Sequence, residues 1–168
     1  MTKKHYMLIS PALLVSLFIY LFYRTEKTVV NELLIRLISY NNYSSLKAAV
    51  VHIIPLNDML IYSLPEGLWM FCITLTSKPY YISFNGLRLD GARLPLIFCL
   101  ALEFLQLIHV TNGRFDYMDI VIFTLFWLLG RYGLAGNTER QPILATPKPA
   151  TWVCLLSYGI VYLAHVMY

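Results

Sequence analysis

The side chains that could do chemistry fall close together late in the chain. Glu103, Gln106 and His109 follow one another inside the apolar run 94–110, and Arg114, Asp116 and Asp119 come just after it. At 1.5 Å per residue, Glu103 stands roughly 14 Å and roughly 10 Å from the two ends of a helix over that run. An ionisable group at such depth in a membrane costs about 2.5–3.5 kcal/mol and is a functional candidate by default. Gln106 lies on the same helical face, with His109 one turn further on and round the flank, so the three form a polar seam. Arg114 is the basic residue of the following turn, a partner for Glu103 or for an acidic group of a ligand. Asp116 can cap the next helix, and Asp119 then stands in its first turn, facing the positive end of the helix dipole. Glu66 opens an earlier helix on the same side. Packed as neighbours, these segments make one outward-facing ligand pocket of Glu66, Glu103, Gln106, His109, Arg114, Asp116 and Asp119.

Each residue also has a plainer role. Asp116 and Asp119 serve as helix caps, and Glu66 completes a capping box with Ser63. Gln106 bonds a neighbouring helix. His109 sits at an interface, and Tyr158 and Tyr162 pack. No nucleophile–base pair or phosphate loop can be assembled, so an enzyme using Glu103 as acid or base ranks behind the binding readings. Cys72, Cys99 and Cys154 lie in three different apolar segments without metal-ligand spacing. They read as small core residues, and no cofactor or metal is expected.

The elements that position these groups follow from composition. Of 168 residues, 58% are hydrophobic, 15% aromatic and 13% charged, whereas a soluble domain carries about 25% charge. The mean hydropathy is +0.61. So little charge argues against disorder and against an ordinary cytosolic enzyme, and for an all-α polytopic membrane bundle. The net charge of +4 is spread singly along the chain, without the basic stripe that nucleic acid requires. About five transmembrane helices are expected in one domain, at 6–23, 59–77, 94–110, 118–134 and 150–167. Between the first two, apolar residues at helical spacing predict interfacial helices over 28–40 and 45–54. The helix bearing Glu66 begins either at Ser63-Leu64-Pro65 or earlier, near Asp58. Residues 77–93 read as a polar connection and 135–149 as an irregular linker.

Orientation follows the Lys and Arg distribution. Lys3, Lys4, Lys78, Arg88, Arg93, Arg131, Arg140 and Lys148 fall on one side; Arg24, Lys27, Arg36, Lys47 and Arg114 fall on the other. The bias places the N-terminus inside and the C-terminus outside.

Leu102-Glu103-Phe104-Leu105-Gln106, then Gly113-Arg114-Phe115-Asp116, Asp119 and Gly130, resemble the core of the VanZ-like membrane proteins. That family carries an E-x-x-Q helix, a G-R-x-x-D-type turn, a second Asp and a helix ending in glycine. The resemblance covers residues 94–131. Phe123 and Phe126 stand where family members carry Asn and then Gly, and the His and Tyr of an earlier span fall near Tyr62 and Glu66, which marks a distant branch. The resemblance implies a bacterial cell-envelope protein of the inner membrane. With it, the pocket reads as a site for a polar lipid or glycolipid head group. The alternative is a subunit or scaffold of a larger membrane complex, docking through 28–40.

Overall fold

The computed structural model describes residues 3–24, 29–84, 87–110, 115–133, 140–143, 151, 152, 154–156 and 158. Helix α1 is Lys3–Phe22, α2 Val29–Ile38, α3 Tyr40–Ile53 and α4 Asp58–Ser77. Strands β1 (Tyr80–Phe84) and β2 (Leu87–Asp90) follow, then a 3-10 turn at Gly91–Arg93. Helix α5 is Leu94–Leu107, α6 is Tyr117–Tyr132, and β3 is Gln141–Pro142. Thr151, Trp152, 154–156 and Tyr158 are helical. The remainder of 150–167, and the turn 111–114 with Arg114, lie outside the described residues.

The all-α bundle of about five spans is overturned. Among the described residues only Asp58–Ser77 is long and apolar enough to cross a membrane. Helix α5 has 14 residues and α6 has 16, about 21 and about 24 Å, short of a hydrocarbon core of about 30 Å. The apolar part of α1 is Met7–Phe22. The chain is also not all-α. The segment 77–93, expected as a polar connection, pairs β1 antiparallel with β2, Phe84 opposite Leu87, and β3 joins β1 in parallel. Tyr80, Ile82 and Phe84 at alternate positions, with the hydroxyl-bearing Tyr81 and Ser83 between them and Asn85-Gly86 following, are the local signal for that hairpin.

Helix α4 is the central element. It packs most extensively against α6, then α1, then α5. It starts at Asp58, with Asn57 Oδ1 accepting from the Leu60 N–H at 2.9 Å. The earlier of the two expected starts is therefore the one present, and Ser63 is buried inside the helix rather than capping it. Helix α1 runs antiparallel to α4: Cys72 lies by the carbonyl of Ile9, and Arg24 by Tyr62. Helix α6 runs parallel to it. Gly67 faces Ile122 and Phe126, and Gly130 faces Thr74, so the two axes approach closely where no side chain intervenes. Met70, Cys99 and Phe123 form the buried core between α4, α5 and α6, with Phe98, Phe126 and Trp127 against it. All three cysteines are free and buried.

Helix α3 is docked on the end of α1. Tyr43 is wholly buried, and its hydroxyl donates to the carbonyl of Leu21 at 2.7 Å. Helix α2, in contrast, leaves Leu33 and Leu37 exposed one turn apart. At the other end, the Ser77 hydroxyl meets that of Tyr158 at 3.0 Å, tying the last described residues to α4.

Candidate functional site

Glu103 is buried on α5, only 3% exposed. Its Oε2 accepts from the backbone N–H of Asp116 at 3.4 Å, a long contact that holds the carboxylate weakly. Gln106, also buried, follows one turn on. Asp116 caps α6, with Oδ1 accepting from the Met118 N–H at 2.8 Å. Asp119 stands in the first turn of that helix. Glu103 lies within electrostatic reach of both aspartates, and Glu66 within reach of Asp119 and Glu103. Helices α4, α5 and α6 thus bring four carboxylates to one end of the bundle.

The cation beside them comes from α1. Arg24 Nη2 lies 3.3 Å from Glu66 Oε1 and donates to the Tyr62 carbonyl at 2.9 Å. Its guanidinium also sits 5.0 Å from the centroids of the Tyr20 and Tyr62 rings, within cation–π range. Lys47 Nζ donates to the carbonyl of Arg24 at 3.2 Å, so α3 braces this arrangement. Pro65 cannot supply the N–H that would meet the carbonyl of Ile61. The α4 turn it loosens is the one Arg24 reaches. In the sequence Arg24 reads only as a topological charge. The one local sign of its role is Tyr20, four residues earlier, a spacing that puts a cation over an aromatic ring on a helix.

His109 does not join the seam. Helix α5 ends at Leu107, and His109 is exposed in the left-handed region at φ 57°. Its N–H bonds the Gln106 carbonyl at 3.0 Å and that of Val110 bonds Leu105 at 2.9 Å, the paired bonds of a Schellman stop in which glycine is usual. His109→Gly is therefore expected to stabilise the protein by about 0.5–1 kcal/mol, the left-handed penalty less the extra freedom of glycine. The thermal midpoint of the purified chain checks this: it should rise by about 1–4 °C, and a fall would mean the imidazole makes a contact that matters.

No family model, curated protein or solved structure matches the chain. Its chemistry therefore rests on the residues themselves. Among the described residues no group of three or more His, Cys, Asp or Glu has the geometry to hold a metal ion. Among the described residues, with Glu66 paired to Arg24, the remaining carboxylates offer hydrogen-bond acceptors, and Gln106 can both accept and donate.

Proposed function

We propose that the chain is a VanZ-like protein of the bacterial cytoplasmic membrane that binds the polar head group of an envelope lipid or glycolipid. The observation that carries this is the buried carboxylate of Glu103. Among the described residues its Oε2 accepts a long hydrogen bond from the Asp116 N–H, with Gln106 beside it and Glu66 within electrostatic reach. A purely structural carboxylate at that burial is normally met by strong donors. A loosely held one is available to a ligand. Hydroxyl or amine donors of a sugar head group are the groups it would accept.

The membrane setting draws on the apolar composition and on α4, a helix of sufficient length and hydropathy. The exposed Leu33 and Leu37 of α2 suit a helix lying at the lipid surface. Lys78 is near the start of α1, where His5 feels its charge, and near Arg131 and Arg140. Basic residues therefore gather at the end of α4 opposite the carboxylates, consistent with a cytoplasmic N-terminus.

Native mass spectrometry of the full chain in a neutral detergent, beside Glu103→Gln, tests the reading. The wild type should retain a species of defined mass. Its occupancy should fall about tenfold in the variant, the lower value for one charged hydrogen bond. Equal occupancy in both, or a bare wild-type chain, overturns the pocket.

A further inference from the structure

The guanidinium of Arg24 meets its acceptors through one nitrogen. Nη2 donates both to the Tyr62 carbonyl at 2.9 Å and to Glu66 Oε1 at 3.3 Å. A well-matched arginine grips a carboxylate through two parallel bonds of about 2.7–2.9 Å, whereas this contact is single and long. Arg24 Nε is buried and, among the described residues, has no acceptor. A buried donor left unmade is costly, so the seat fits a guanidinium poorly. A primary ammonium gathers three donors on one compact nitrogen. Placed where Nη2 lies, it makes the same two bonds and brings no Nε with it. The rings of Tyr20 and Tyr62, each 5.0 Å from the guanidinium carbon, add the aromatic faces that favour a cationic ligand. Arg24 is also able to leave. It stands two residues beyond the end of α1, and the side chains of the pair are 20% and 19% exposed.

We propose that Glu66, the Tyr62 carbonyl and the two tyrosine rings seat a primary ammonium group of the lipid head group. Arg24 is then an internal competitor, which fills the seat until the ligand's ammonium displaces it. The proposal rests on the carboxylate end being a head-group site, as in the reading above, and names the group that this site takes.

The test uses the full chain in neutral detergent, with short-chain phosphatidylethanolamine as probe. Short-chain phosphatidylcholine, whose quaternary nitrogen has no N–H to donate, and ethylammonium are the comparisons. Binding is read by native mass spectrometry. Phosphatidylethanolamine should be retained over phosphatidylcholine. Glu66→Gln should weaken its retention about tenfold, the contribution of one charged hydrogen bond. Arg24→Met should tighten it severalfold, because the competitor is gone. Phosphatidylethanolamine should also raise the thermal midpoint of Arg24→Met by more than that of the wild type, a readout that survives a loss of stability in this variant. Equal retention of the two lipids, or retention unmoved by Glu66→Gln, overturns the seat. Weaker retention in Arg24→Met overturns the competitor and makes Arg24 a contact of the ligand. Displacement by equimolar ethylammonium overturns the lipid source in favour of a small soluble amine. Glu103→Gln keeps the two readings apart. If the co-purified species is lost in that variant while phosphatidylethanolamine is unmoved by Glu66→Gln and Arg24→Met, the ammonium seat is overturned and the pocket stands.

Discussion

Arg24→Met is expected to destabilise the protein by about 3 kcal/mol, the low end for removing one partner of a buried ion pair. The low end applies because Arg24 and Glu66 are still 20% and 19% exposed. Methionine keeps most of the aliphatic stem against Tyr20 and Tyr62, so the loss reports charge and hydrogen bonding more than volume. Without the guanidinium, Glu66 loses the cation that offsets its repulsion from Asp119 and Glu103, and the Tyr62 carbonyl loses its donor. Glu66→Gln should cost less, since Arg24 keeps that carbonyl and both rings. The double variant should recover much of the loss, because it leaves no charge unmatched. In a chain of this size the single change should lower the thermal midpoint by about 6–12 °C. A double variant as unstable as the sum of the two singles would show that the pair is not coupled.

The parts of this arrangement differ in how visible they are in the sequence. Glu103, Asp116 and Asp119 lie within 17 positions of the sequence, so proximity along the chain brings them together. Glu66 joins them through α4 lying parallel to α6, with Gly67 and Gly130 at the contact. Arg24 is 42 positions from Glu66, and only tertiary packing of α1 on α4 unites them. A hydropathy run also counts residues after a helix has stopped. The apolar run 94–110 holds a helix that ends at Leu107, because His109 turns left-handed. The hairpin was obscured differently. Lys78, Pro79, Arg88 and Asp90 give 77–93 a polar average, while strand identity lies in the alternation of Tyr80–Phe84, which an average discards.

Gly91→Ala is expected to be as damaging as the loss of Arg24, for a reason of space alone. A Cβ at this position would lie 2.4 Å from the carbonyl oxygens of Ser77 and Tyr80 and 2.9 Å from the Tyr80 carbonyl carbon. These are backbone atoms, so no side chain can rotate aside. The alanine must instead push the start of the 3-10 turn away from the end of α4. Overpacking of this kind costs typically about 1–3 kcal/mol, and a doubled backbone clash belongs at about 3. The displacement reaches further than the turn. Ala92 accepts from Trp127 Nε1 at 2.6 Å, and Asp90 holds Arg131 and Arg140. The variant should therefore show a midpoint lowered by about 6–12 °C and an altered near-ultraviolet signal from Trp127. Retention of the carboxylate-end ligand by the fraction that stays folded should be close to wild type, since α4, α5 and α6 meet there independently of the sheet. A variant with an unchanged midpoint and Trp127 signal would mean that the hairpin is not seated on the end of α4.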